Sequence, residues 1–353
     1  MRQVQQMNHS ATSRQSRRQF HQHLAQTALG LSAAGLLAGC ETKEELTASA
    51  GTARPAATGK GLKIGMIAKS NSNPVFLAAR KGAESRAAAL SDELGLSVTL
   101  DWRTPNDEDA QKQAEFIEQL VSSGAAGLAI ACSDASKVTR AIDDAIAKGV
   151  QVMCFDSDAP ESKRLCYVGT DDYEAGRLVM EHVSKLLEPQ SGVIAILAGN
   201  QTATNLQKRV KGASDELARH EHLRLKGVYY HKETPQEAYA MVESVQQANP
   251  EINGWAMIGG WPLMTDRALP WAPGKVVCVS MDTLLPQLEH LRKGDVQLLL
   301  GQRYFYFGER CVEIMTAKIR SGTSPAQEVE FAPLDPVTRE NVEEYAKNWA
   351  RWS

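Results

Sequence analysis

The fold class expected from the sequence is α/β, with two doubly wound parallel-sheet domains in one chain. Three observations carry that expectation. After residue 61, short β-branched or apolar runs alternate with longer stretches of helical period, which is how βαβ units read in a sequence. The alternation runs through twice, with five strand-like runs each time. The alternating part is roughly 290 residues long, which suits two compact domains of about 100–150 residues.

In the first series, strands are expected over 63–68, 97–102, 127–131, 151–155 and 165–168. Helices are expected over 74–94, 108–123 and 133–148. Ser or Asp caps open them, and Gly95, Gly124 and Gly149 close them, because glycine reaches the left-handed backbone that ends a helix. The second series places strands over 193–197, 225–230, 254–258, 275–279 and 296–300. Its helices fall near 173–187, 204–219, 236–248, 283–292 and 307–319. A last helix is expected after Val337-Thr338, capped by Thr338, with Val337 stapled onto Val342.

Residues 1–39 carry four Arg and no acid, then a mild apolar stretch over 24–38 that is too short to span a membrane stably. They read as an export signal. Arg17 and Arg18, within Ser16-Arg17-Arg18-Gln19-Phe20, match the twin-arginine pattern, and Leu37-Ala38-Gly39-Cys40 resembles a lipoprotein box in which Cys40 is acylated. Residues 40–61, rich in Ala, Thr, Gly, Glu and Lys, have too little apolar surface to repay ordering and read as a linker from that lipid anchor.

Without the signal, 35 basic residues stand against 42 acidic ones with no basic block, so no nucleic-acid partner is expected. Cys132, Cys154, Cys166, Cys278 and Cys311 sit mostly in apolar runs and read as free core thiols. A doubly wound sheet invites a dinucleotide reading, but the loop after the first strand, Lys69-Ser70-Asn71-Ser72-Asn73-Pro74, has no Gly to admit a pyrophosphate. With no P-loop, no nucleophile elbow and no His beside a nucleophile, neither an enzyme nor a cofactor or metal is expected.

Ligands of open parallel sheets bind beyond the carboxyl ends of the strands. There the first series carries Asn73, Phe76, Ser133, Asp134, Asp156 and Asp158, and the second carries Asn205, Trp261, Asp282, Gln302 and Arg303. Amides, carboxylates and aromatic rings are what a sugar needs, since each hydroxyl donates and accepts while rings cover the C–H faces. Ser133 and Asp134 also suit helix capping. Arg209, four residues after Asn205 on one helix face, serves equally as a structural ion pair. Those three and Arg303 are therefore secondary candidates. Trp261 follows two Gly and precedes Pro262, the pattern of a ring displayed on a loop.

Several of these stretches together resemble a family. They are Asn73-Pro74-x-Phe76, Phe155-Asp156-Ser157-Asp158 followed by Val168-Gly169-Thr170-Asp171-Asp172-Tyr173-x-x-Gly176, Thr202-Ala203-x-Asn205-x-x-x-Arg209-x-x-Gly212, Met281-Asp282 and Gly301-Gln302-Arg303. They look like type I periplasmic sugar-binding proteins of ABC importers, most of all a glucose-binding branch. Ribose binders commonly have a second aromatic where Val75 stands, an Arg where Ser157 stands and an Asn where Ala131 stands. The resemblance implies that Asn73, Phe76, Asp156, Asn205, Asp282 and Gln302 line a cleft between two lobes. It also implies three hinge crossovers, near 170–171, 302–303 and 333–336. An N-terminal lobe of 62–170 and 303–333 and a C-terminal lobe of 171–302 and 334–353 then follow. The partners implied are a small-molecule sugar, an ABC permease and, through the lipid anchor, a membrane, with the protein a monomer. A receptor that presents ligand to a sensor kinase or chemoreceptor is the alternative.

Overall fold

The structure, a computed structural model, describes residues 61–353. The expected signal with Arg17 and Arg18, the anchor Cys40 and the linker up to residue 60 lie outside the described residues.

The apolar runs of the first series become β1 (Leu62–Ile67), α1 (Val75–Leu94), β2 (Val98–Trp102), α2 (Ala110–Ser122), β3 (Gly127–Ile130), α3 (Ala135–Ala147), β4 (Gln151–Phe155) and β5 (Tyr167–Gly169). The second series becomes α4 (Asp172–Leu187), β6 (Gly192–Ala198), α5 (Thr204–Leu217), β7 (Leu223–Tyr230), α6 (Pro235–Ala248), β8 (Gly254–Met257), β9 (Val277–Met281), α7 (Leu285–Lys293) and β10 (Leu298–Gly301). The chain closes with α8 (Tyr304–Ser321), β11 (Val329–Phe331), β12 (Asp335–Val337), α9 (Val342–Ala346) and α10 (Trp349–Trp352).

Two six-stranded sheets result, in the orders β11-β5-β4-β3-β1-β2 and β12-β10-β9-β8-β6-β7. Five strands per domain were expected; β11 and β12 add one edge strand to each sheet. Both are three residues long, too short to carry a period, and β12 holds Pro336 in an antiparallel pairing with β10. Proline is tolerated at such an edge because no further strand asks for its missing N–H. The chain passes between sheets after β5, after β10 and between β11 and β12.

Helix ends follow local chemistry. Asp109 and Asp134 cap α2 and α3 by accepting from the amides of Lys112 and Ser136, and Gly95, Gly124 and Gly149 take positive φ at the far ends. Thr338 departs from its expected role. Its amide donates to Asn341 Oδ1 at 2.8 Å, and α9 begins only after Asn341, although Val337 and Val342 do share one buried cluster. The end of the chain touches both lobes: Trp349 Nε1 donates to the Thr283 carbonyl at 2.8 Å, and Arg351 reaches Glu309 and the Phe305 ring on α8. The five cysteines among the described residues are all buried and free.

One helix crossing in each lobe is unusually close. A Cβ on Gly176 of α4 would stand 1.9 Å from the Arg209 carbonyl oxygen of α5, and one on Gly308 of α8 would stand 1.8 Å from that of Ala79 on α1. Only glycine lets these backbones meet, and the first crossing sets where Arg209 starts from.

Candidate binding site between the lobes

Asp156 and Asp282 occupy matching places, each directly after a buried strand of its own sheet, β4 and β9. Among the described residues they are the two non-glycine positions with positive φ, 57° and 71°. Aspartate tolerates that left-handed backbone better than most residues, and a non-glycine residue held there at a strand end is a candidate functional position. Asp156 is 3 % exposed and its Oδ1 has no partner. Burial pushes its carboxyl up to about 6, while Lys69 and Arg209 pull the other way. Asp282 is also raised by burial, with Arg209 and the Gln302 amide opposing.

Gln302 ties the lobes together at the second crossing. Its Oε1 accepts from Thr170 Oγ1 at 2.9 Å and Arg209 Nη2 at 2.8 Å, and its Nε2 donates to Asp282 Oδ1 at 2.8 Å and the Tyr304 hydroxyl at 2.9 Å. Those four bonds use the full capacity of the amide. Gln302 therefore orients its neighbours and has no hydrogen bond to spare. Arg209 is equally engaged: Nε pairs with Asp172 Oδ1 at 2.8 Å and Nη1 donates to the Ile258 carbonyl at 3.2 Å. It is both the structural ion pair and the positive neighbour of Asp156 and Asp282.

Phe76 is buried in the first core, edge-on to Tyr304 with ring centroids 5.8 Å apart. Asn205 is buried with Oδ1 unpartnered, and so is the Ser133 hydroxyl. Asn73 is half-buried at the start of α1, where its Oδ1 accepts from the Val75 amide at 3.3 Å.

Four expected candidates stand differently. Asp134 is spent as the cap of α3. Asp158 forms a fork with Arg164, through Nε and through Nη2 at 2.7 Å, because a buried guanidinium needs a carboxylate beside it. Arg303 turns to the hinge and pairs with Asp335 of β12 at 2.7 Å. Trp261 is not displayed on a loop: it opens a 3₁₀ turn (Trp261–Met264) and is 5 % exposed within the second core, edge-on to His231 at 5.0 Å. Its indole Nε1 is nevertheless unpartnered.

Sequence reasoning missed Lys69, Glu108, Asp172, Glu233 and Tyr304. Lys69 is 3 % exposed, and its ammonium lies 2.8 Å from Glu108 Oε1 and 3.3 Å from Glu233 Oε2. Charged residues in loops read as solvated, and no local spacing couples positions 69 and 233. Tyr304 was overlooked because α8 was expected to start at 307, and the run Tyr304-Phe305-Tyr306-Phe307 has no period that marks a helix start.

The model of the periplasmic binding protein domain matches residues 64–323. The chain belongs to the periplasmic binding protein family. It is 28 % identical over 161 residues to a D-ribose/D-allose-binding protein of Pseudomonas aeruginosa, covering 44 % of this chain and 49 % of that one. The chain thus spans about half the length of that curated relative. It is 22 % identical over 284 residues to a D-apiose import binding protein of Paraburkholderia graminis, covering 79 % and 88 %. Among solved structures, an ABC transporter solute-binding protein from Burkholderia graminis in complex with D-arabinose superposes with a TM-score of 0.75 at 25 % identity, covering 82 % of this chain and 99 % of that one. A glucose-galactose binding protein from Geobacillus stearothermophilus, at 20 % identity and a TM-score of 0.68, shares the fold, covering 80 % and 99 %.

Proposed function

We propose that the protein is an exported, lipid-anchored receptor that closes two lobes over a monosaccharide, glucose-like or a related sugar, and delivers it to an ABC importer as a monomer. The observation that carries this reading is that four of the seven buried, unpartnered polar side-chain atoms among the described residues, Ser133 Oγ, Asp156 Oδ1, Asn205 Oδ1 and Trp261 Nε1, belong to residues at or just beyond strand ends in both lobes. Buried polar groups are ordinarily paired, so such a set calls for a ligand with several hydrogen-bonding groups. Two fixed acceptors, one fixed donor and one hydroxyl match a polyol, whose hydroxyls both donate and accept. In this reading Asp156 and Asn205 meet ligand hydroxyls, Phe76 and Trp261 wall the site, and Asp282, Gln302 and Arg209 hold the geometry. Asn73 belongs to the rim.

Relatives whose names carry ribose, allose and apiose support a sugar as the class, and the import role named for the apiose proteins supports a permease partner. Membership of a periplasmic family supports export, which the signal at Arg17-Arg18 would direct and Cys40 would end in a lipid anchor. The lobes divide as 62–170 with 303–333 and 171–302 with 334–353.

The test is a thermal-shift screen of the full chain against D-ribose, D-allose, D-apiose, D-arabinose, D-glucose and common polyols. A ligand present at 100-fold its Kd stabilises by about 2.7 kcal/mol, an easily read shift. Failure of every sugar and polyol at millimolar concentration sinks the sugar reading.

A further inference from the structure

Three charged side chains that meet across the cleft, buried Lys69 and half-buried Glu108 and Glu233, have no place in the reading above. Lys69 stands on the loop after β1 and Glu108 on the loop before α2, both in the first lobe. Glu233 stands on the loop after β7 in the second lobe, where its Oε1 also accepts from the Asn200 amide at 3.1 Å. The Lys69 ammonium therefore bridges the lobes and draws two carboxyl groups to one partner, with the Glu233 side chain 7 % exposed and that of Glu108 18 % exposed. Glu108 Oε2 is buried and without a partner. One ammonium cannot neutralise two carboxylates, and the further charge that acts on it, Asp156, is an acid too.

We propose that Lys69, Glu108 and Glu233 form a clasp across the cleft that takes up one proton as the lobes close, so that closure weakens as the pH rises above neutral. The closed arrangement is what makes the proton necessary. Opening the cleft returns both carboxyls to water, where each ionises independently, whereas closing it desolvates them side by side. The pair of carboxyls holds the proton between them: burial and the neighbouring Glu233 push Glu108 up to about 8 against the pull of Lys69. Lys69 stays charged, because Glu108, Glu233 and Asp156 outweigh the effect of its burial.

Other charged or titratable groups face this cluster. Asp156 lies after β4, Asp282 after β9, and His231 and Lys232 beside Glu233. Asp107 lines the same cleft of about 700 Å³, and Glu237 of α6 faces His231. Burial raises Asp156 to about 6 and lowers His231, so both change charge mainly below the range in which Glu108 does.

The sign follows from linkage. A carboxyl raised in the closed form favours closure most at low pH, and that advantage is lost as the pH rises through about 8. Between about pH 7 and about pH 9 the closure equilibrium falls roughly tenfold.

Small-angle X-ray scattering of the full chain, with Cys40→Ser and no sugar added, reads the balance of open and closed forms. The expected result is a larger radius of gyration at about pH 9 than at about pH 7, with circular dichroism unchanged. Glu108→Gln, which carries no titratable carboxyl, should remove the dependence. Glu233→Gln should remove it too, since a lone Glu108–Lys69 pair needs no proton. The same radius at both pH values in the unsubstituted chain, or persistence of the change in either variant, overturns the clasp. The proposal rests on the two-lobe closure of the preceding section. The measurement uses no sugar, so its failure leaves the sugar reading standing, and a failed sugar screen leaves the clasp standing.

Discussion

Asp156→Asn separates binding from folding cleanly, because the structure predicts opposite signs for the two. The backbone at Asp156 has φ 57°, a conformation that asparagine adopts at least as readily as aspartate, so the exchange adds no strain. Burial has raised the carboxyl from 3.8 to about 6, so its charge above that pH costs up to about 3 kcal/mol of stability. The stabilising effect of its protonation is complete below the ordinary carboxylate pKa and is lost as the pH rises through about 6. The unliganded Asn variant should therefore melt at or above the parent temperature at neutral pH, with the difference shrinking as the pH falls. Binding should move the other way. Oδ1 is a buried acceptor without a partner, and a bond from a ligand hydroxyl to a charged group contributes about 1.5–3 kcal/mol. Turning half of the group into a donor should weaken affinity by roughly 10- to 150-fold. Calorimetric titration with the sugar that emerges from the thermal screen, run beside a ligand-free melt, reads both quantities. Unchanged affinity would remove Asp156 from the site, and a lower melting temperature at neutral pH would show that its charge is structural.

Arg209→Met strands Asp172 and one acceptor of Gln302 in a buried network. It should cost about 3–5 kcal/mol and lower Tm by roughly 6–15 °C, with Asp172→Asn in the same chain restoring part of the loss. A fall of a degree or two would mean that the network does not hold the hinge. Asp158→Asn breaks the fork to the buried Arg164, so Tm should fall while affinity stays within about twofold. A large loss of affinity at unchanged Tm would return Asp158 to the site. Thiol titration of the denatured Cys40→Ser chain should count all five cysteines as free, and a count of three would mean one disulfide. For export, Arg17→Lys with Arg18→Lys should retain precursor in the cytosol and Cys40→Ala should release protein from the membrane; normal fractionation of either variant defeats the corresponding assignment.

The place of Asp156 was legible, an acid directly after an apolar strand whose neighbours pair on both sides. So was the presence of each strand in the main series, since burial on both faces demands a continuous apolar run, and every helix that a glycine ends. Gly176 and Gly212 were visible as motif positions, but their cause, backbones touching at the α4–α5 crossing, was not. Trp261 was misread because two glycines before it look like a loop signal. In the fold, a Cβ at Gly259 would stand 2.0 Å from the Trp261 ring, so that glycine instead makes room for an indole lying against its own backbone.

Local order and the identity of the strand ends were therefore written in the sequence, because both depend on residues within a few positions of one another. The roles of Gln302, Arg209 and Lys69 were decided only by tertiary structure. Each is set by partners distant in the sequence: Thr170 for Gln302, Asp172 for Arg209, and Glu233 for Lys69. Whether an amide meets a ligand or spends all four hydrogen bonds on its neighbours, and whether a loop lysine is solvated or clasped between two carboxyls, depends on the distances that folding creates. A linear pattern does not encode those distances.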